Sequence, residues 1–303
     1  MNKIVIAIPT YKRPEMLKKL LLSIMDCKID QSIIGEISIV VVDNDIDKTA
    51  ELTVSNIKIN NQHVKSLVYH NFTTKGLSNV RNEMLRKALE MNPDFIVFVD
   101  DDEFVTTQWL NELVKTIINN DADIVRGPVF AKMGINTPDH ITYWFSRENH
   151  PDNSRLYNLS SGNLIIKKSS FLKFNVWFDN RFNNTGSEDS YFGIQLLKKE
   201  ARIFWSAKAI AYETIPEKRA TLNWLLKRNY RVASTFTYIL KIEKEYFKLI
   251  KKTIVSLVYI FIGFLAVTLM IFPVKKRYWG ILKLSEGFGG IAGLGNKIYS
   301  EYK

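Results

Sequence analysis

The chain has 303 residues, 46% of them hydrophobic and 24% charged, a composition that supports a large buried core and argues against a disordered protein. Its 42 lysines and arginines outnumber 31 acidic residues, and the net charge of +11 suits phosphate-bearing ligands, nucleic acid or an anionic membrane equally well. The single cysteine, Cys27, excludes an internal disulfide and a multi-cysteine metal site, which fits a reducing compartment.

Short β-branched segments alternate with segments of helical period, which predicts an α/β fold with a mostly parallel sheet and crossover helices. The predicted strands are residues 4–8, 37–42, 66–69, 95–99, 123–125 and 163–167. The first of them is too short and too strand-like for a signal peptide, so we expect the body of the chain to be cytoplasmic.

Two predicted helices each carry one apolar face, and a third, longer helix covers about residues 221–240. The first begins at Pro14, a residue suited to the first helical position. The apolar faces comprise Leu17, Leu20, Leu21 and Ile24 in the first helix, and Leu77, Val80, Met84, Ala88 and Met91 in the second. After Phe130 the periodicity stops, and a long polar loop is predicted.

The last quarter of the chain has a different composition. Residues 253–272 hold no charged side chain and are flanked by basic clusters, and at about 1.5 Å per residue they are just long enough to cross a hydrocarbon core. Membrane contact is therefore predicted, as a spanning helix or as an in-plane or re-entrant one, and a buried core helix is the alternative. Five glycines between Gly287 and Gly295 indicate close helix packing or a loop, because no strand precedes them as a dinucleotide motif requires.

Four acidic residues, Asp100, Asp101, Asp102 and Glu103, directly follow the predicted strand at 95–99. Adjacent carboxylates repel one another unless a cation lies among them, and hard oxygen ligands suit Mg²⁺ or Mn²⁺. The alternative is a solvated acidic turn that caps a helix beginning near Thr106. The position at the carboxyl end of a strand, where α/β sheets bind ligands, favours the metal.

A second acidic group follows the strand at 37–42. Asp43 is the first residue after this strand and the better site candidate, whereas Asp47 fits a turn or helix N-cap. If the two strands are neighbours, their acidic ends form one rim.

Polar and basic residues leave the first predicted strand at the same point. Thr10, Tyr11, Lys12 and Arg13 would bring hydroxyls and positive charge to the acidic rim, a combination suited to a nucleotide phosphate. An ordinary polar loop before the helix at Pro14 is the alternative.

The sequence Ser187-Glu188-Asp189 opens a predicted helix. Carboxylates in a first turn are stabilised by the helix dipole, so helix capping alone would explain them. A carboxylate held at a helix start beside a cleft is equally suited to act as a general base.

Six motifs follow one another along the chain: Ile8-Pro9-Thr10-Tyr11, Val42-Asp43-Asn44, Gly76 with Val80-Arg81-Asn82, Phe98 through Glu103, Gly162-Asn163 and Ser187-Glu188-Asp189. Their order across residues 4 to about 235 resembles glycosyltransferase family 2, the inverting enzymes of GT-A fold. Within the family the run from Trp205 to Arg231 most resembles the glucosyltransferases of succinoglycan-type exopolysaccharide assembly.

The resemblance implies a nucleotide site. Thr10 and Asp43 match positions that hold the nucleobase, Arg81 matches the arginine that reaches its carbonyl, and Asp100 would contact the ribose. The nucleotide-binding candidates are Pro9, Thr10, Tyr11, Asp43, Arg81 and Asp100.

The resemblance also implies a metal and a base. Asp102 would coordinate Mn²⁺ or Mg²⁺, Asp189 would deprotonate the acceptor, and Asp101 receives no role. Many relatives carry a metal-holding histidine where this chain has Tyr212-Glu213, so Glu213 is the candidate to replace it. Further donor or acceptor contacts are implied for Gly162, Asn163, Glu188, Glu213 and Arg219.

The hypothesis is therefore transfer of a hexose from a nucleotide-diphosphate sugar, UDP-linked, to a lipid-linked or polysaccharide acceptor at the cytoplasmic face of the membrane, with no nucleic-acid partner. A catalytic domain at 1–240 and a membrane-associated helical region at 241–303 are predicted. The alternatives are a non-catalytic nucleotide-binding module and a nucleotidyltransferase, although the latter would be expected to have a glycine-rich first loop.

Overall fold

The computed structural model describes residues 1–135, 137–145, 149–268 and 274–300. The chain divides into two compact units. The first, called here the sheet unit, takes its described residues from 1–132, 147–180 and 188–214. The second, the helical unit, takes them from 133–146, 181–187 and 215–303.

The ten strands that the structure describes all belong to the sheet unit. They are β1 Asn2–Thr10, β2 Ile34–Asp43, β3 Val64–Asn71, β4 Phe95–Phe98, β5 Glu103–Val105, β6 Ile124–Arg126, β7 Val129–Lys132, β8 Leu164–Lys167, β9 Ile203–Trp205 and β10 Ala211–Thr214. Seven form one sheet in the order β3-β2-β1-β4-β8-β6-β9, in which only β8 runs antiparallel to its neighbours. Strands β5, β10 and β7 form a second, smaller sheet.

The helices follow the strands in alternation and then dominate the end of the chain. They are α1 Pro14–Met25, α2 Glu51–Ser55, α3 Leu77–Glu90, α4 Trp109–Asn119, α5 Asp139–Thr142, α6 Lys168–Phe174, α7 Glu188–Lys198, α8 Leu222–Ile242, α9 Tyr246–Thr268 and α10 Val274–Leu294. Short 3-10 turns lie at Tyr143–Phe145 and Asn180–Phe182.

The central strands of the large sheet are buried on both faces, whereas the edge strand β3 is partly exposed. Along β1, Ile4, Ile6 and Ile8 pack into one core with α1, α2 and α4, while Val5 and Ala7 pack into the other with α3, α6 and α7. Successive strand residues point to opposite faces, so a strand covered on both sides has to be apolar throughout. This is the reason that the strands appear in the sequence as continuous β-branched runs.

The predicted mostly parallel α/β fold is confirmed. The four residues predicted on the apolar face of α1 are all buried, and the five predicted for the second helix lie on α3 or at its C-cap, Met91. Neither the small sheet nor β9 at the edge of the large sheet was predicted. Because β5 occupies residues 103–105, α4 begins at Trp109 and not near Thr106. The region after Phe130 holds β7, α5 and a 3-10 turn in addition to loop.

In the helical unit, α8 covers the predicted long helix, with the Thr221 hydroxyl accepting a bond from the Trp224 amide as N-cap. Helix α10 packs so closely against α8 that no side chain fits at two of its glycine positions. A Cβ atom at Gly289 would lie 2.3 Å from the Tyr230 carbonyl oxygen, and one at Gly293 would lie 2.4 Å from that of Ser234. The interpretation of these glycines as close helix packing is confirmed. Of the predicted apolar segment, residues 269–272 lie outside the described part of the chain.

Candidate active site

The carboxyl ends of β1, β2 and β4 meet at one edge of the large sheet. The parallel register places Thr10 beside Asp43, and it places Ala7 of β1 beside Phe98, two residues before the acidic run. The acidic rim predicted from the sequence is therefore present, since β2, which ends in Asp43, and β4, which leads into the acidic run, both flank β1.

Two buried carboxylates of the acidic run are held by residues from the loop after β1. Thr10 Oγ1 donates to Asp101 Oδ2 at 2.8 Å. Arg13 Nη1 lies 2.9 Å from both Asp101 Oδ1 and Asp102 Oδ2, so one guanidinium nitrogen bridges two side chains that are only 4% and 8% exposed. Burial raises the pKa of Asp101 to about 6, against the opposing effect of Arg13 and with that of Asp102. Asp101 thus links the loop to the acidic run.

Asp43 is fully buried and accepts three hydrogen bonds from its surroundings. Its Oδ1 accepts from the Asp45 amide at 3.0 Å, and its Oδ2 accepts from the Ala50 amide at 3.2 Å and from the Tyr69 hydroxyl at 2.9 Å. Asp43 therefore fixes the turn after β2, a structural role that its sequence context already allowed. Its predicted contact with a nucleobase stays a prediction.

Arg81 on α3 connects the acidic run to the start of α7. Its Nε donates to Glu188 Oε1 at 3.0 Å and its Nη2 to Asp100 Oδ1 at 3.2 Å. Burial alone would lower the pKa of Arg81, but the carboxylates of Asp100, Glu188 and Asp189 outweigh it and raise that pKa. Among the described residues, buried Nη1 has no hydrogen-bond partner, so this nitrogen retains a free donor.

The predicted base candidate lies next to this ion pair. Burial raises the pKa of Glu188 to about 7, with the neighbouring Asp189 acting in the same direction and Arg81 against it. Asp189 is half-buried, and its Oδ1 accepts from the Ser190 amide at 2.6 Å within the first turn of α7. This bond satisfies an amide of the first turn that has no partner within the helix, and it leaves Oδ2 for another proton. The geometry therefore accommodates both a role in stabilising the helix start and a role as a base.

Gly162 lies against the acidic run. A Cβ atom at this position would come within 2.5 Å of Glu103 Oε1 and 3.4 Å of Asp100 Oδ2. Only glycine allows the loop before β8 to approach these carboxylates so closely.

Asn163 fixes the same loop from inside the protein. Its side chain is fully buried, with Nδ2 donating to the carbonyl oxygens of Pro128 and Ala209 and Oδ1 accepting from Trp109 Nε1. All of its polar atoms are used within the protein, so its contribution is to hold the backbone next to Gly162.

Strand β10 brings Glu213 to the acidic run. It pairs antiparallel with β5, so that Glu213 lies opposite Glu103, and the amide of Thr214 donates to the Asp102 carbonyl at 2.8 Å. This is the neighbourhood in which Glu213 would have to lie to replace a metal-holding histidine. Arg219 belongs to the helical unit, where its guanidinium is 5.9 Å from the centre of the Trp224 ring.

The oxygen-rich edge of the sheet suits a hard cation. No group of three or more histidine, cysteine, aspartate or glutamate side chains is arranged to enclose a metal within the described ranges. Mg²⁺ and Mn²⁺, however, commonly bind one or two carboxylates and complete their coordination with water and substrate phosphates. The residues present therefore fit a cation that Asp102 shares with a phosphate-bearing ligand.

A comparison with protein families decides the relationship of this chain. The model of glycosyl transferase family 2 matches residues 5–175, more than half of the sequence. The chain belongs to glycosyltransferase family 2. It is a glycosyltransferase, and the matched residues include Arg13, Arg81, the acidic run and Gly162.

Individual relatives agree with the family. The chain is 27% identical to succinoglycan biosynthesis protein ExoM of Rhizobium meliloti (strain 1021) over 232 residues, which is 76% of this chain and 72% of ExoM. It is similar in structure to residues 1–349 of S. aureus TarS in complex with UDP, with a TM-score of 0.55, 18% identity and coverage of 98% of this chain and 93% of that one. The same fragment in complex with UDP-GlcNAc gives a TM-score of 0.54 at 16% identity, covering 99% and 93%.

Two further structures, a longer form of TarS and GalNAc-T7, match this chain over about half of their own length. The chain spans 47% of a longer TarS structure, about half of its length. GalNAc-T7 in complex with UDP, GalNAc and Mn²⁺ is similar with a TM-score of 0.54 and 14% identity, over 78% of this chain and 51% of that one. These structures show that the sheet unit of this family 2 chain has the GT-A fold, a fold family that typically uses a divalent metal.

Two members of the site were not singled out from the sequence. Arg13 was expected only to add positive charge to the rim, whereas it bridges Asp101 and Asp102. Tyr69, which holds Asp43, was read only as the end of a strand. The sequence feature that could have identified Arg13 is its position immediately before Pro14, where the loop after β1 ends and α1 begins.

Proposed function

We propose that this enzyme transfers a hexose from a UDP-sugar to a lipid-linked or polysaccharide acceptor, with inversion at the anomeric carbon, in the synthesis of a cell-surface polysaccharide. The observation that carries the proposal is the network at the sheet edge, in which Arg13 neutralises Asp101 and Asp102 while Arg81 joins Asp100 to Glu188. The likeness to a succinoglycan biosynthesis protein supports the polysaccharide, and the UDP-bound neighbours support the donor.

Different residues of the site bind different parts of the nucleotide-sugar donor. Pro9, Thr10, Tyr11 and Asp43 lie at the ends of β1 and β2 and form the nucleobase side of the site. Arg81 contributes its unpaired Nη1 donor to a base carbonyl, a contact that would satisfy a buried polar atom.

The acidic run serves the ribose and the diphosphate. Asp100 accepts hydrogen bonds from ribose hydroxyls, and Asp102, supported by Glu213, holds the divalent cation. Such a cation, when bound, stabilises the negative charge that develops on the departing diphosphate. The guanidinium of Arg13 contacts Asp102, so Arg13 also lies close to where the departing diphosphate develops negative charge.

The chemical step is a single in-line displacement. The acceptor oxygen attacks the anomeric carbon, the bond from that carbon to the diphosphate oxygen breaks, and UDP leaves with the electron pair. Asp189 takes the proton of the acceptor hydroxyl, and its position in the first turn of α7 fixes the carboxylate for this role.

Membrane association is the other part of the proposal. Helix α9, Tyr246–Thr268, is long and apolar enough to cross a bilayer. Only 17% of the most apolar stretch of this helix is buried within the protein. Nucleotide sugars are cytosolic, so the proposed location is the cytoplasmic face of the cell membrane, where a lipid-linked acceptor is available.

A donor screen tests the proposal. Full-length protein in detergent is incubated with a panel of UDP-hexoses and Mn²⁺, and the released nucleotide is identified by chromatography. We expect metal-dependent release of UDP from one donor, abolished by EDTA and by Asp102→Ala, and unchanged by Asp26→Ala at the exposed C-cap of α1. Release of UMP would identify a nucleotidyltransferase, and binding without turnover of any donor, with or without saccharide acceptors, would identify a binding module.

A further inference from the structure

Helix α9 exposes one continuous apolar face along its whole length. The exposed apolar side chains recur mainly at intervals of three and four residues, with exposures between 38% and 83%, and are therefore mostly on one side of the helix. This stripe consists of Phe247, Ile250, Ile254, Leu257, Val258, Phe261, Phe264 and Leu265, with Ile262 at its border. Apolar patches of this size on a protein surface mark contact with a partner or a membrane.

The opposite face of α9 is packed side by side on α10. Ser256, Gly263 and Ala266 are its buried residues. A Cβ atom at Gly263 would lie 2.7 Å from the carbonyl oxygen of Gly280, and one at Gly287 would lie 2.6 Å from that of Ser256. The two helices therefore run antiparallel in contact along most of α9.

Charged side chains of α10 lie beside residues 252–259, which include the middle of α9. Lys283 Nζ is 2.8 Å from Glu286 Oε2 and 4.1 Å from the centre of the Tyr259 ring on α9. Glu286 also lies 3.6 Å from Lys252 of α9. If α9 spanned a bilayer, this ion-paired cluster would therefore lie at the depth of the hydrocarbon core.

The other side of α10 is covered by α8, which is a charged, water-compatible helix. Ser285 Oγ donates to the Leu226 carbonyl at 2.6 Å, and Gly289 and Gly293 pack on the backbone of α8. If α9 crossed a bilayer, the Lys283–Glu286 pair and the basic turns of α8 would enter the hydrocarbon core with it, where charged groups are costly.

We infer that α9 lies in the plane of an anionic lipid surface, with its exposed stripe in the headgroup–acyl boundary, and does not cross the bilayer. Three exposed lysines border the amino-terminal end of the stripe: Lys244, Lys251 and Lys248, of which Lys248 lies 3.3 Å from Glu245. Their excess of positive charge complements anionic headgroups. In a parallel pairing of two copies of the chain the same lysines would face one another, which favours lipid as the occupant. The inference rests on the proposed membrane association, but not on the donor or the reaction.

Depth measurements test the orientation. In full-length Cys27→Ala protein, the variants Ile250→Cys, Leu257→Cys and Phe264→Cys are labelled with NBD and bound to phosphatidylethanolamine–phosphatidylglycerol vesicles. Quenching by lipids labelled at shallow and deep acyl positions is then compared. In a spanning helix, residues 250 and 264 would lie about 21 Å apart along the bilayer normal, on either side of residue 257 near the middle of the hydrocarbon core.

We expect all three probes to be quenched to a similar extent and best by the shallow label. Quenching of the residue 257 probe best by the deep label, with the probes at residues 250 and 264 quenched best by the shallow label, would overturn the in-plane orientation while leaving membrane association intact. Absence of quenching at all three positions, with dimers in cross-linking, would overturn lipid contact and assign the stripe to a second copy. UDP release by the same preparations reports separately on the proposed reaction.

A charge placed in the stripe tests the contact itself. Leu257→Glu should weaken vesicle binding about tenfold or more, because it puts a carboxylate into the boundary among anionic lipids. The matched control is Leu172→Glu on α6, an isolated leucine of similar exposure in the sheet unit, which should bind vesicles like the parent. Equal binding by both variants and the parent would contradict the inference.

Discussion

Arg13 neutralises two buried carboxylates that belong to a segment almost ninety residues further along the chain. Removing one partner of a buried ion pair leaves the other charge uncompensated, and this is where most of the cost of such a substitution arises. A divalent cation at Asp102 would supply the same neutralisation. The arginine and the metal therefore act on the same charge, and their effects should be coupled.

Arg13→Ala should lower stability by about 1–3 kcal/mol, less than for a fully buried pair because one third of the arginine side chain is exposed. This corresponds to a decrease of roughly 2–10 °C in the thermal midpoint, and added Mn²⁺ should restore part of it. The measurement is a thermal melt with and without Mn²⁺. Arg86→Ala, which removes an exposed ion pair on α3, is the control and should have little effect with or without metal. A loss for Arg13→Ala that Mn²⁺ does not reduce would contradict the coupling.

Asp189→Asn retains the shape of the side chain and can still accept the bond from the Ser190 amide, but it cannot take a proton. Transfer should fall by roughly 10²-fold or more while donor binding is retained. Ser190→Ala removes only the neighbouring hydroxyl and should transfer normally. Turnover of Asp189→Asn close to that of the parent would show that the residue is a helix cap and that another group is the base.

The reactivity of Cys27, the single thiol, tests whether the end of α1 is buried as the structure shows. Burial raises the pKa of Cys27 to about 12, so the thiol is protonated at neutral and mildly alkaline pH and cannot react as a thiolate. DTNB at pH 8 should modify native protein very slowly and urea-unfolded protein at once. Rapid modification of the native protein would mean that the end of α1 opens readily.

At the level of elements, α10 depends on glycine where it touches α8. Gly289→Ala would force a methyl group onto the Tyr230 backbone at 2.3 Å and should destabilise the helical unit by about 1–3 kcal/mol, because backbone cannot move aside as a flexible side chain can.

The matched control is Gly295→Ala just beyond α10, where the nearest atom would be an unstrained 3.7 Å away. Thermal melts of the two variants should differ by several degrees. Equal midpoints would show that α8 and α10 separate without cost, and the packing argument for an in-plane α9 would fail with it.

For the molecule as a whole, charge and apolar surface make separable contributions to membrane binding. The net charge of +11 attracts anionic lipid, but at 1 M salt the Debye length is only about 3 Å and this attraction is screened. The α9 stripe is unaffected by salt. Membrane fractions should therefore retain the protein through a 1 M salt wash and release it in detergent, as followed by immunoblot. Complete release by salt would identify a purely electrostatic attachment.

The sequence by itself determined six of the seven strands of the large sheet, all except β9, together with the buried face of α1, the acidic sheet edge and the membership of family 2. These features depend on local periodicity and on residue order, because a strand buried on both faces or a one-sided helix leaves its pattern in consecutive residues. The long apolar tail was visible for the same reason.

Only the tertiary structure decided which groups meet. Three contacts join residues that are far apart in the chain. Arg13 binds Asp102, Tyr69 donates a hydrogen bond to Asp43, and Glu213 lies opposite Glu103. The small sheet was hidden because three- and four-residue strands carry too little periodicity to be distinguished from loop. Hydropathy could not tell a spanning α9 from an in-plane one, since that choice depends on the charged side chains of α10 that pack beside it.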